Sequence, residues 1–447
     1  MSAGSSASPV RQTDGGLDRV RALQRVLYRS AKQDPERRFH ALFDKVARSD
    51  VMWRAWSDVR ANKGAPGVDG VSIEAIEQSG VRVFLEELAA QLQTGKYRPA
   101  PLRRVHIPKP GKPGQTRPLG IPTVRDRVVM AAARIVLEPV FEADFLASSF
   151  GFRPKRSAHM AIEAIRVETN RYRDWVLDAD IKACFDEIDH DVLMAEIGRR
   201  VVDRQMIKLL RCWLRAGIFE GGVILETGSG TPQGSPISPL LANIALHRLD
   251  QAWQDGRQRI GRLVRYADDF VVVCSTRQQA IDGRRRAAAV LAGLGLRLSL
   301  EKTRIVELTR GKEGFDFLGF HLRKVESWKW RGKWYLQRWP STRAMNSIRA
   351  KIRALTDRRY TGIPLSTVVE RINPVLRGWG NYFRHGNSAK KFAQIDSYVH
   401  ERLAILACNK HQLSGRQWLD RYNGVWLKRL GVHALHGKIK YGNANAS

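Results

Sequence analysis

The stretch RLVRYADDFVVVC (262–274) sets two adjacent aspartates, Asp268 and Asp269, between two runs of strand-forming residues. Strands disfavour Asp, and neighbouring carboxylates repel. The β-rich flanks predict a hairpin with an acidic turn, which either solvates two charges at a bend or uses them to hold a cation. A second stretch, WVLDADI (175–181), alternates: Trp175, Leu177, Ala179 and Ile181 face one way, Val176, Asp178 and Asp180 the other. Such a strand buries one face and presents carboxylates on the opposite one. Successive strand residues point to opposite faces, so one aspartate of the turn should face this strand and the other sit behind it. With Asp268 facing Asp180, oxygen ligands converge without any His or Cys, a donor set suited to Mg²⁺ or Mn²⁺. Two such ions about 4 Å apart activate a 3′-hydroxyl and stabilise a pyrophosphate leaving group.

Charge narrows the partner. Lys and Arg number 76 against 44 acids, a net +32 over 447 residues, which points to a polyanion such as nucleic acid. The four cysteines (Cys184, Cys212, Cys274, Cys408) form no C-x-x-C pair and the histidines show no ligand spacing, so neither a zinc site nor a disulfide framework is expected. That usage fits a reducing cytoplasm. No apolar run approaches membrane-spanning length. Residues 1–16 are small, polar and Gly/Ser-rich, and read as a disordered tail.

Helical spacing marks 17–60, with Leu23, Val26, Leu27, Phe39, Leu42 and Phe43 on one face, and again about 81–94 and 125–145. NKGAPGVDG (62–70) is a loop. Residues 98–127 carry Arg98, Arg103, Arg104, Lys109, Lys112, Arg117, Arg125 and Arg127 against a single acid, Asp126, and read as a basic hairpin or finger. ETGSGTPQGSPISPLLANIALHRL (226–249) is a Gly/Pro/Ser loop feeding a helix, and 295–322 reads as strands and a hairpin. From residue 323 the chain reads as basic and helical, with helices starting at an N-cap Ser341, over 364–383 interrupted by Pro374, and over 389–408.

In this order, DADIKACFDEID, GTPQGSPISPLLANIAL, RYADD and FLGF resemble the palm of a reverse transcriptase, and the resemblance is to the bacterial group II intron-encoded reverse transcriptase/maturase family. RRVHIPKPGKPGQTRPLGIPTVRDRVVM and SSFGFRPKRSAHMAI resemble its fingers, and NPVLRGWGNYFR its thumb. The resemblance implies an α+β right-hand polymerase: tail 1–16, N-terminal extension 17–97, fingers and palm 98–322, thumb/maturase region 323–410, and a short basic DNA-binding tail 411–447. It also implies an enzyme, an RNA-directed DNA polymerase that copies intron RNA during retrohoming and assists splicing as a maturase.

Carried over residue by residue, the resemblance makes Asp180 and Asp268 the catalytic metal ligands, with the Ile181 carbonyl as a further ligand and Asp269 in support. The cofactor would be two Mg²⁺, or Mn²⁺. Phe185 takes the place of the ring that excludes a ribose 2′-hydroxyl. Arg117 grips the triphosphate, Lys109 or Lys112 gives a second grip, Gln233 lies beside the nucleotide, and Lys302 lies near the pyrophosphate. Arg343, Arg349, Arg353, Arg377, Trp379, Tyr382 and Arg384 would contact RNA, with some of the aromatics packing the helices instead and Trp379, between two glycines, open to either use. The implied partners are group II intron RNA, an RNA template with a DNA primer, target DNA and dNTPs, with dimerisation open and the site of action the cytoplasm, at the nucleoid. Only about 37 residues follow the thumb, a basic stretch without a cysteine pair, so no endonuclease is expected. Two rival readings stand beside this one: a splicing cofactor without polymerase activity, and an intron-independent reverse transcriptase in defence or repair.

Overall fold

The structure, a computed structural model, describes residues 14–108, 114–220, 223–225, 230, 234–412 and 421–440, without the side chains of 14–17 and 255–259. The amphipathic N-terminal stretch folds into the helices Asp14–Gln33, Phe43–Val46, Ser49–Ala61, Ile73–Ser79 and Val81–Gln93. The first three pack on the long helix Val124–Glu142, buried along almost its whole length. Leu23, Leu27, Leu42, Met52 and Trp56 therefore share one core with Val128, Val129 and Ala132, and residues 17–97 form no separate unit.

Two arginines of the basic stretch spend their charge inside this assembly. Arg103 donates to the Pro66 carbonyl (2.7 Å) and Arg127 to that of Ala65 (2.6 Å), pinning the loop NKGAPGVDG to the fingers. The lone acid has a structural use too. Asp126 is buried, accepting from the Tyr97 hydroxyl, Thr123 Oγ1 and the Ala100 amide.

Eleven strands are described: β1 Leu102–Pro108, β2 Thr116–Ile121, β3 Trp175–Asp180, β4 Ile218–Glu220, β5 Val223–Leu225, β6 Arg262–Tyr266, β7 Asp269–Cys274, β8 Arg304–Glu307, β9 Gly314–Phe317, β10 Phe320–Glu326 and β11 Trp334–Pro340. They form three sheets, ordered β2-β1-β4-β5, β6-β7-β3-β8 and β11-β10-β9. The first is the finger sheet, with β1 and β2 antiparallel as the basic hairpin. In the second, the central sheet, β7 and β3 lie inside, covered by helices Ser238–Ile260 and Arg277–Ala292 and by Ala158–Thr169. Their near-continuous apolar character (Val271, Val272 and Val273 fully buried) follows from burial on both faces.

The helical thumb begins later than the sequence suggests. Residues 320–340 form the β10–β11 hairpin, and helix resumes only at Thr342. The period-two pattern was hidden by a lysine on its inward face: Lys324 is 6% exposed and ion-pairs with Asp174. Ser341 caps Thr342–Leu355, accepting from the Ala344 amide (3.2 Å). The helix Leu365–Phe383 runs unbroken through Pro374, and Ala389–His411 completes the bundle. Residues 421–440 do not stand apart as a tail. Leu435 is fully buried against Gly380, and the Asp396 carboxylate accepts from the Leu435 and His436 amides. Among the described residues no helix is long and apolar enough to cross a membrane.

Candidate active site

Asp180 ends β3, and its registered partner on β7 is Asp269, the first residue of that strand. Opposed residues of an antiparallel pair share a face, so the two side chains meet, and they are hydrogen-bonded. This differs from the expectation that one of the two turn aspartates sits behind the sheet. The alternation rule treats Asp268 and Asp269 as consecutive strand residues, whereas Asp268 belongs to the two-residue loop Ala267-Asp268 joining β6 to β7. That loop folds over the end of β3, where the Ile181 amide donates to the Asp268 carbonyl (3.3 Å).

Asp268 and Asp269 therefore both feel the charge of Asp180, and Asp269 that of Asp268 as well. Burial, the hydrogen bond to Asp180 and the Asp268 charge push Asp269 up to about 8, although the residue keeps a solvent-exposed edge. Burial and the Asp180 charge also push Asp268 up, opposed by Arg117 and Lys302. Lys302 sits at the centre of this balance, its Nζ 2.5 Å from Asp180 Oδ2. Asp178, two residues earlier on the same face, is pushed up to about 6 by burial and is held by Arg304 (Nε–Oδ2 3.1 Å).

Burial is the largest cause of all three shifts, and the neighbouring carboxylates add to it. Among the described residues no three His, Cys, Asp or Glu side chains are gathered to hold an ion unaided. A pair of carboxylates with main-chain oxygens beside them is nevertheless the usual protein share of a Mg²⁺ site, the remainder being water and substrate phosphate. The residues present fit that cation.

Behind the turn lies a network that sequence reasoning missed. Arg265 is fully buried and forks onto Asp250, also fully buried (Nε–Oδ1 2.9 Å, Nη2–Oδ2 2.5 Å). It further donates to Asn243 Oδ1 (3.0 Å), to Ser149 Oγ (2.8 Å) and to the carbonyl of Ala267 (3.0 Å). Ala267 has φ 57°, a left-handed conformation that costs a side-chain-bearing residue energy. Gly151 packs directly behind it, and a Cβ there would collide with the Ala267 amide nitrogen. The guanidinium thus holds a strained backbone whose next residue is Asp268. The "RY" before "ADD" was the available signal, since an outward arginine needs no strand interior.

Of the residues expected around the nucleotide, Arg117 lies exposed on β2, close enough for its charge to lower the Asp268 pKa. Phe185 is half-buried in the short helix Cys184–Glu187, one turn beyond Asp180. Gly230 docks beside it: its amide donates to the Ile188 carbonyl (2.8 Å), and a side chain there would strike the Asp186 backbone. Gly234 lies against Leu119 and the Gly120 carbonyl of β2. Lys109, Lys112 and Gln233 lie outside the described residues.

In the thumb, Arg343, Arg353 and Arg377 are exposed, and Arg349 is half-buried over the Tyr398 ring. Two aromatics expected to contact RNA are instead spent on packing. Trp379 lies against Phe383 and Phe392 (ring centroids 4.8 and 5.5 Å), and Tyr382 donates to the Leu318 carbonyl (2.8 Å) and packs on Phe320. Both rings are half-buried against other rings of the core. Arg384 is half-buried, and its carbonyl accepts from the Lys440 amide.

A basic finger hairpin, a sheet with an acidic turn at its open end and a helical bundle following in sequence define a polymerase of the right-hand type. Residues 107–322 match the reverse transcriptase (RNA-dependent DNA polymerase) family, and residues 345–423 match the group II intron maturase-specific domain. Protein YkfC of Escherichia coli (strain K12) is 35% identical over 347 residues, 69% of this chain and 89% of that protein. The group II intron-encoded protein LtrA of Lactococcus lactis subsp. cremoris is 36% identical over 232 residues, 52% of this chain but 38% of LtrA. An uncharacterized 91 kDa protein in the cob intron of Schizosaccharomyces pombe is 36% identical over 215 residues, 46% of this chain and 25% of that protein. This chain belongs to the group II intron-encoded reverse transcriptase/maturase family.

Proposed function

We propose that the chain extends a DNA primer on an RNA template with deoxynucleoside triphosphates, and that it binds group II intron RNA to support splicing and retrohoming. The observation that carries this reading is the meeting of Asp180, Asp268 and Asp269 at the open end of the central sheet, with Lys302 as their counter-ion.

In this reading Asp180 and Asp268, with the Ile181 carbonyl, hold two Mg²⁺ (Mn²⁺ being able to replace them). Metal held there would supply a lowered pKa for the primer 3′-hydroxyl and positive charge against the departing pyrophosphate. The other steps fall to the chain's own groups. Arg117 forks onto phosphate oxygens, with Lys109 or Lys112 as a second grip. Phe185 occupies the space a ribose 2′-hydroxyl would need, and Gln233 lines the nucleotide. Lys302, already against Asp180, shifts to hydrogen-bond the leaving pyrophosphate and gives it a proton. Arg343, Arg349, Arg353, Arg377 and Arg384 meet RNA phosphates, an interaction that weakens steeply with salt. Work on target DNA would place the protein at the nucleoid.

The test joins two assays on one preparation: extension of a DNA primer on RNA with Mg²⁺, and splicing of a group II intron RNA with and without the protein. Extension with accelerated splicing is the expected result. Splicing support without extension would leave only an RNA-binding cofactor, and extension without splicing support would remove the maturase part.

A further inference from the structure

The β10–β11 hairpin ends in the loop 327–333, sequence SWKWRGK. The loop has its own fixed shape. Ser327 Oγ accepts from the Lys329 and Trp330 amides (3.2 Å each), the Ser327 amide donates to the Lys333 carbonyl (2.8 Å), and Glu326 Oε1 accepts from the Gly332 amide (2.8 Å). Gly332, at φ 82°, supplies the bend. The one acid beside the tip is thereby turned onto backbone, leaving Lys329, Arg331 and Lys333 exposed.

What this frame displays is aromatic. Trp328 is 95% exposed and meets no other ring among the described residues. Trp330 is 51% exposed, with the ammonium groups of Lys329 and Lys333 at 5.1 and 5.4 Å from its ring. Indole faces among cations in a pre-shaped loop suit unpaired bases, which stack on the ring while the cations take the flanking phosphates.

The position of the tip says which nucleic acid. Lys324 of β10 is tied to Asp174, at the end of β3 opposite Asp180. Six residue steps of about 3.3 Å put that anchor roughly 20 Å from the catalytic carboxylates. β10, whose His321 pairs with the Asp316 that acts on Asp178, runs from that side past the anchor to the loop. The tip is thus remote from a primer terminus held at Asp180. Duplex DNA keeps its bases stacked inside, whereas folded RNA offers unpaired loops and bulges. We propose that residues 327–333 form a second RNA-contact surface, with an unpaired base stacked on Trp328 and Lys329, Arg331 and Lys333 on the phosphates beside it. This rests on the reading of the chain as a binder of folded intron RNA, and adds where one unpaired element of that RNA docks.

The test measures equilibrium binding of the full chain to a stem-loop RNA with an unpaired purine loop, its fully paired counterpart, single-stranded DNA of the loop sequence, and anionic phospholipid vesicles. Trp328→Ala should weaken stem-loop binding about 5- to 150-fold. Trp328→Phe should restore most of it. Binding to the paired RNA and primer extension on an unstructured template should be unchanged. Equal stem-loop affinity of wild type and Trp328→Ala overturns the proposal, as does an equal loss on the paired RNA. Weakening confined to single-stranded DNA or to the vesicles would assign the tip to that partner and overturn it too. A wild type that binds none of the RNAs overturns the RNA-partner reading itself, a result distinct from failure of the Trp328 assignment.

Discussion

Asp180 of β3 and Asp269 of β7 stand opposite each other as a registered pair at the open end of the central sheet. Burial first, then the hydrogen bond to Asp180 and the charges of Asp268 and Asp180, push Asp269 up to about 8. Lys302 is the cation the chain supplies against this crowding.

Replacement of that lysine tests its part in the chemistry. Lys302→Met should slow single-turnover nucleotide addition by about 10²-fold or more. Primer–template affinity should change little. Wild-type rates in the variant would reduce Lys302 to a surface charge.

Sugar selection should rest on one ring. Phe185→Val opens the space beneath the ribose and should raise ribonucleotide incorporation relative to deoxynucleotide by at least about tenfold, since a steric gate of a few kcal/mol is being removed. Competition between dCTP and CTP on one template measures it, and an unchanged ratio contradicts the assignment.

The buried pair behind the turn should be expensive to break. Arg265→Met leaves the Asp250 carboxylate buried without its partner and should cost about 3–5 kcal/mol in denaturant unfolding. Adding Asp250→Leu should recover a large part of that stability. It should not recover polymerisation, because nothing then holds the Ala267 carbonyl. Full activity in the double variant would show that the brace does not position Asp268.

Acid should destabilise the same region through His247. Burial, with Arg265, Arg153 and Arg199 nearby and only Asp250 opposing, holds its imidazole neutral, with the pKa pushed down to about 4. The unfolded chain binds that proton near pH 6.5 and the folded chain only near pH 4, so the stability is complete above about 6.5 and is lost as the pH falls through that window. Between about pH 7 and pH 5 the loss attributable to this group is up to roughly 2 kcal/mol. His247→Gln should flatten the slope, and an unaltered slope would move the effect elsewhere.

Much of this was legible in the sequence because it obeys local periodicity. The strand at 175–180, the finger hairpin, the capped helix after Ser341 and the β-rich flanks of the acidic turn are each set by residues next to one another. What escaped depended on pairing. The facing of Asp269 and Asp180 is a matter of register, which alternation within one strand cannot give. The β10–β11 hairpin was masked by a buried Lys324 whose partner, Asp174, lies 150 positions away. Arg265 looked like one more surface charge among 76 basic residues, yet its ligands come from Asp250, Asn243 and Ser149 on other elements. Trp379, which its flanking glycines left open between packing and RNA contact, and Tyr382 both pack against other rings, a choice made by tertiary neighbours and not by local sequence.

Extension of a DNA primer on an RNA template with Mg²⁺, wild type beside Asp268→Ala, tests the gathering of carboxylates most directly. The wild type should extend, and the variant, shown folded by an unchanged circular dichroism spectrum, should lose activity by about 10³-fold or more, the several kcal/mol that the metal site contributes. Extension by Asp268→Ala at the wild-type rate would contradict the account.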